Sequence, residues 1–273
     1  MRIARFSLND SPRYAFVQTD ESDGKDYLVE LDGHPLLGGQ VTPTGNRYPL
    51  DMDGLRLLSP VIPSKVYGLA KNYEAHAQFM HEAGHSEISH APEDMVIFTK
   101  PSTSVIGPDD PIVYPECSKD MNFEPEVAVV MGRVAKNVPV EKAMDYVLGF
   151  TCVNDVTLRD LQGIDPTWTR AKGFDTSCPL GPWIVGRDDL NWRDAKISFT
   201  LNGEDVPMAS GTTANLVHGI PEQIAAISSF STLLPGDVIM TGTPNASGHL
   251  DPGDETIVHV EGIGDLRNVI VRA

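Results

Sequence analysis

Glu124 and Glu126 sit two apart in NFEPEVAVV, at the head of an apolar run. In a strand, residues i and i+2 point to the same face. Pro125 between them has no N–H for a ladder hydrogen bond, which places the pair at a strand start or edge. Two carboxylates aimed at one point in a part-buried place are costly unless a cation joins them. The plain alternative is a solvated turn carrying two surface acids. Asp155 offers a third carboxylate, ending the run LGFTCVN and opening VTLRDLQ. If a helix or turn begins there, Arg159 at i+4 and Gln162 at i+7 share its face; otherwise Asp155 is a helix cap paired with Arg159. Three carboxylates leave positions open on a hard cation such as Mg²⁺ or Mn²⁺. A 2-oxo acid has a carboxylate and a ketone oxygen with which to fill two of them.

A second constellation competes. HEAGH, residues 81–85, fits the H-E-x-x-H pattern of zinc hydrolases, in which one helix face carries two histidines and a glutamate base. Four of the eight histidines lie between positions 76 and 90. Gly84 inside the pattern weakens a helix and Pro92 closes the segment. No partner motif supplies a third ligand, so the zinc hydrolase is the remote alternative.

The elements that must position these residues read as mostly strands. Arg2–Leu8, Tyr14–Gln18 and Tyr27–Leu31 are short strands separated by Asp, Ser and Gly turns. Val41 to Pro63 is rich in Pro, Gly and Asp and reads as a boundary. Val66–Ala70 follows as a strand and Tyr73–Glu82 as a helix. A weakly periodic loop from Gly84 to Asp94 comes next; residues 74–92 together are expected to cover the site as a lid. Met95–Thr99, Glu126–Val134, Leu148–Asn154, Asp237–Thr241, Thr256–Val260 and Arg267–Val271 are further strand candidates. Val140–Val147 suits a short helix. Pro221–Leu233 suits an amphipathic one, with Ile224, Ile227, Phe230 and Leu234 on its apolar side. Few long helices alternate with strands, which argues against a nucleotide-binding βαβ sheet.

Composition narrows the function classes. With 38 acidic and 21 basic residues the formal net charge is −17, which disfavours nucleic acid and anionic membrane surfaces as partners. An anionic substrate would need local positive charge, and a bound cation would supply it. Cys117, Cys152 and Cys178 are odd in number and widely spaced, with neither zinc spacing nor a disulfide framework, so a reducing cytoplasm is expected. The first residues, MRIARFSLNDSPRY, lack the apolar region of a signal peptide, and no run of 18 apolar residues exists.

Seven ordered segments carry a family likeness: YGLAKNYEAH (67–76), FTKPSTSVIGP (98–108), DYVLGFTCVNDVTLRDLQ (145–162), WTRAKGFDTSCPLGP (168–182), LNGE (201–204), LLPGDVIMTGTP (233–244) and PGD with EGIGDLRN (252–268). Together with Glu124-x-Glu126 and Asp155, they make residues 65–273 resemble the fumarylacetoacetate hydrolase family. The resemblance implies a mixed α/β, predominantly β fold, a sandwich or roll. It also implies a small β-rich N-terminal domain over 1–60, a catalytic domain over 61–273, and usually a homodimer. It makes Glu124, Glu126 and Asp155 the ligands of Mg²⁺ or Mn²⁺. Arg159, Gln162 and the Thr243 loop become substrate-binding, and Lys172 and His76 catalytic. Lys71 has no assigned role.

The family's lid motif runs Asn-Tyr-x-x-His-x-x-Glu, and its His and Glu together activate water for hydrolysis. Here the third residue after His76 is Phe79, so that dyad is broken. Decarboxylation and tautomerisation need no water nucleophile. The reading is a metal-dependent enzyme acting on a small anionic 2-oxo acid, with decarboxylation of oxaloacetate to pyruvate through an enolate as first choice. The alternatives are hydrolysis of an acylpyruvate or fumarylpyruvate and isomerisation of 2-hydroxyhepta-2,4-diene-1,7-dioate. A binding module with a structural metal is the non-enzymatic alternative; the open coordination positions, Lys172 and His76 argue against it.

Overall fold

PEVAVVM, residues 125–131, is apolar on both side-chain parities, and such a strand must be covered on both faces. In the computed structural model, which describes residues 1–36 and 40–273, the strand Pro125–Met131 lies inside a twelve-stranded sheet. Its neighbours are Val147–Asn154 and Val238–Met240, both antiparallel. Val127, Val129 and Met131 point into one core, and Ala128 and Val130 into another. The first core lies between this sheet and a six-stranded one. The second sheet contributes Ile197, Phe199, Val258, Val260 and Leu266. At its edge Phe123 stacks on Phe199 with ring centroids 4.0 Å apart. Strand makes up 42% of residues and helix 16%, so the expected predominantly β sandwich is the fold.

The N-terminal strands do not stand apart. Arg2–Leu8 pairs with Cys178–Gly186 through Arg2↔Val185 and Ile3↔Ile184, so the large sheet continues into residues 1–60. Ala4, Phe6, Leu8, Ala15, Val17 and Leu28 form a core of their own there.

The structure adds strands to the sequence reading and shortens one apolar stripe. The 41–63 stretch, read as a boundary, also holds the strands Thr42–Pro49 and Leu55–Leu58, the second paired with Arg2–Leu8. Thr42–Pro49 buries almost nothing, so no apolar alternation marks it. The strands Cys178–Gly186 and Lys196–Leu201 were not anticipated. The first, CPLGPWIVG, carries turn residues yet sits centrally, and its ladder with Val147–Asn154 shifts register where those residues fall. The helix Ile220–Phe230 buries Ile224 and Ile227 as expected, but Phe230 is 59% exposed and Leu234 41%. The chain turns extended at Ser231, so the predicted apolar stripe ends at Ile227.

The helix Glu74–Glu82 forms as anticipated, with Tyr73 extended at its N-cap. Among the described residues no helix is long and apolar enough to cross a membrane.

Candidate active site

The three carboxylates converge because a ladder brings their strands together. Pro125 pairs with Asn154 and Glu126 with Val153, and Asp155 lies one residue beyond the ladder. The Glu124 N–H donates to Asn154 Oδ1 (2.9 Å) and the Asp155 N–H to the Glu124 carbonyl (2.9 Å). One oxygen from each of Glu124, Glu126 and Asp155 lies within 4.8 Å of the others, and all three residues are at most 4% exposed.

Three buried cations face these three acids. Lys172 Nζ donates to Glu124 Oε2 (2.7 Å) and Asp155 Oδ2 (2.5 Å). The Arg159 guanidinium donates to Glu124 Oε1 and to Ser247 Oγ. Lys100 Nζ lies 2.9 Å from Asp155 Oδ1. Its protons go instead to the carbonyls of Val156, Lys172 and Ser177 at 2.6–3.1 Å, so Asp155 Oδ1 accepts no hydrogen bond.

The acids respond unequally. Burial alone would raise Glu124, but the Arg159 and Lys172 charges hold its carboxyl below the usual range. Glu126 is pushed well above the usual range by burial and then by the charges of Asp155 and Glu124, although the Gly242 N–H donates to its Oε2 at 2.7 Å. Burial works against the Lys172 ammonium, but Asp155 and Glu124 keep it charged.

This donor set fits a hard divalent cation. It offers three carboxylate oxygens, one with no hydrogen bond, and one acid whose charge the protein alone does not neutralise.

Arg159 and Gln162 reach the site by another route than expected. No helix starts at Asp155: Thr157–Leu158 is a short strand, and the helix spans only Arg159–Gln162. Arg159 therefore pairs with Glu124, not Asp155, and its Nη1 donates to Gln162 Oε1 at 2.7 Å. Thr243 is buried, and its hydroxyl donates to the Pro125 carbonyl at 3.1 Å.

His76 is brought to the same cavity. A space of about 340 Å³ is lined by the three acids together with His76, Arg159, Gln162, Lys172 and Thr243. Its wall continues through Met80 and residues 84–87, so part of the 74–92 segment covers the carboxylates. His76 Nδ1 lies 2.5 Å from the Asn245 carbonyl, which can only accept; Nδ1 therefore carries the proton and Nε2 the lone pair. Burial pulls its pKa down to about 4. The Phe79 ring stacks beside it, with centroids 6.4 Å apart. The two acids on its helix are engaged elsewhere: Glu74 accepts from the Ala91 N–H and Glu82 from Gln78.

Activity that needs the neutral imidazole is expected to hold as pH falls past 6.5, with the acid limb of kcat/KM nearer 4. Stability runs with it: the unfolded chain takes up the proton first, so the His76 contribution weakens as pH drops from about 6.5 towards 4. A limb at 6.5 in the rate profile would remove His76 as the titrating base.

The HEAGH pattern does not form a site. The helix ends at Glu82, Gly84 is left-handed at φ +76°, and His81 Nδ1 contacts the Ser86 carbonyl. Among the described residues the only cluster with metal-ligand geometry is Glu124, Glu126 and Asp155. Sequence reasoning missed Lys100, although it shares the side-chain parity of buried Phe98 in Val96–Lys100, the mark of an inward lysine. It also missed Asn154 and Gly242, which act through a side-chain oxygen and a backbone N–H that carry no pattern.

Residues 65–271 match the family described as fumarylacetoacetate (FAA) hydrolase C-terminal, and residues 1–60 match Rv2993c-like, N-terminal. A Mycobacterium smegmatis structure described as a 5-carboxymethyl-2-hydroxymuconate delta-isomerase is 41% identical, with TM-score 0.86 and full coverage of both chains. The human mitochondrial oxaloacetate tautomerase is 37% identical, over 78% of this chain and 69% of that protein. A Pseudomonas aeruginosa fumarylpyruvate hydrolase, solved with Mn²⁺ and pyruvate, is 28% identical with TM-score 0.70, covering 82% of this chain and 94% of that one.

Proposed function

The chain belongs to the fumarylacetoacetate hydrolase family, and from that premise we propose that it moves a proton beside the ketone of a small 2-oxo dicarboxylate. The best-supported instance is interconversion of the keto and enol forms of oxaloacetate. The observation that carries this is the state of His76: a neutral imidazole with Nε2 as its lone-pair nitrogen, in the wall of the cavity that holds the acids, and with no carboxylate partner. Such a group is a base for a carbon acid. It has no carboxylate to orient it towards a water, whereas proton removal from carbon needs no ordered water nucleophile.

Glu124, Glu126 and Asp155 would hold Mg²⁺ or Mn²⁺, which when bound supplies Lewis acidity towards a ketone oxygen beside a carboxylate. The protein's own groups do the rest. His76 Nε2 takes the C3 proton, the C3–H electron pair becomes the C2=C3 double bond as the C2=O π pair moves onto oxygen, and the proton returns from His76 to that oxygen to give the enol. Lys172 supplies positive charge to the developing oxyanion. Arg159 and Gln162 orient the carboxylate end, and the buried wall excludes water. The related tautomerase and isomerase, by their names, also catalyse proton shifts.

Decarboxylation of oxaloacetate, favoured from sequence, is the second reading. It shares the need for a dry site and an electron sink, and the Phe79 ring beside His76 supports the first of these. It ranks second because loss of CO₂ needs a proton donor and no carbon base, and His76 is unprotonated at neutral pH. With Mg²⁺ or Mn²⁺ present, enol disappearance followed by ultraviolet absorbance should outrun pyruvate formation. Both should outrun hydrolysis of an acylpyruvate. Hydrolysis as the fastest of the three would return the enzyme to the hydrolase class.

A further inference from the structure

Among the described residues, Lys71 is the one lysine or arginine of the cavity wall in no ion pair with an acid. It closes the strand Val66–Ala70 in the left-handed region, at φ +55°. A side-chain-bearing residue held there is strained, and such strain concentrates at ligand sites. Its Nζ donates to Ser86 Oγ at 2.6 Å; that hydroxyl in turn donates to the Ile88 carbonyl. An ammonium has three donors, and among the described residues the other two have no acceptor. No carboxylate of the described residues lies within ion-pair distance of Lys71, whereas Lys100, Arg159 and Lys172 are each matched to Glu124 or Asp155. The residue is half-buried, and burial lowers its pKa with no compensating charge. Of its cavity neighbours Ser86, His85 and Glu87, the last two are exposed at the rim, so Lys71 is the recessed charge of that wall.

We propose that Lys71, with Ser86 holding its ammonium in place, receives the second carboxylate of the substrate and so makes the enzyme selective for 2-oxo dicarboxylates over 2-oxo monocarboxylates. This rests on the 2-oxo acid reading given above and extends it to the distal end. The charges agree in number: Lys100, Arg159 and Lys172 offset the charge of Glu124, Glu126 and Asp155, so a divalent ion and Lys71 add an excess that a dianion neutralises better than a monoanion. The Ser86 contact also joins the strand end to the loop after the lid helix, so occupancy of Lys71 would order both together.

The test uses the Mn²⁺-loaded protein and two five-carbon probes that differ in the second carboxylate, 2-oxoglutarate and 2-oxopentanoate. Binding is read by titration calorimetry and by fluorescence of Trp168, which lines the cavity. The native protein is expected to bind 2-oxoglutarate at least about tenfold tighter, as for a part-desolvated charge pair. Lys71→Met should bring the ratio to within about twofold by weakening the dicarboxylate alone, and Lys71→Arg should keep most of it. Equal weakening of both probes by Lys71→Met, or an unchanged ratio, overturns the Lys71 assignment and leaves the 2-oxo acid reading standing. Failure of the native protein to bind either probe overturns both.

Discussion

Glu126→Gln and Glu126→Ala are expected to abolish divalent-ion binding and to lower activity by about 10³-fold or more, the worth of several kcal/mol of Lewis-acid stabilisation. The fold should survive. Glu126 is the acid that the surroundings tolerate least: burial, and then the charges of Asp155 and Glu124, drive it towards its protonated form. Replacing it with an isosteric amide removes that conflict and keeps an oxygen for the Gly242 N–H. The metal-free Gln variant should therefore melt at or above the native temperature, while the Ala variant also leaves that N–H unpaired and melts lower. The same physics sets a pH dependence. A carboxyl with a raised folded pKa binds its proton more tightly than the unfolded chain does, so its contribution to metal-free stability falls as pH rises through that pKa. A cation must displace that proton, so Mn²⁺ affinity should tighten by about tenfold per pH unit while Glu126 is protonated. Calorimetric titration of Mn²⁺ from pH 5 to 8 reads this slope. Full activity of either variant in excess chelator would end the metal assignment.

The second large effect is a change of reaction. Phe79→Glu should raise hydrolysis of acylpyruvates by about 10²–10⁴-fold, the usual worth of effective general-base catalysis. It should leave enolisation of oxaloacetate less affected. Phe79 lies at i+3 from His76 on the helix Glu74–Glu82, and its ring is already stacked on the imidazole, so a carboxylate there would reach it. Neither Glu74 nor Glu82 fills that role in the native protein, because both are bonded to other partners. The introduced charge would also raise the His76 pKa from about 4, moving the acid limb of the rate profile upwards. The measurement is kcat/KM for both substrates in both proteins, with the pH profile of each. A hydrolytic rate that stays flat while the acid limb moves would show that orientation of His76 does not limit water attack.

Part of this protein is determined by local sequence alone. Glu124-x-Glu126 points two acids to one side because a strand repeats every two residues, whatever surrounds it. Arg2–Leu8, Val66–Ala70 and the helix Glu74–Glu82 follow from periodicity and turn residues in the same way. That Phe79 neighbours His76 is likewise legible, since i and i+3 share a helix face; that the family carries a Glu there is what the resemblance implies. Other features depend on chain segments far apart in sequence. Arg159 pairs with Glu124 across 35 residues, although helical spacing had aligned it with Asp155. The tautomer of His76 is set by the carbonyl of Asn245, 169 positions away. Cys178–Gly186 is a central strand despite its prolines because the sheet on either side supplies its partners. Lys100 balances Asp155 only because three carbonyls of the 156–177 segment fold around its ammonium. Local pattern reports which face a side chain takes; the charges and acceptors that meet it there come from distant segments, and pKa, tautomer and ion pairing are properties of that meeting.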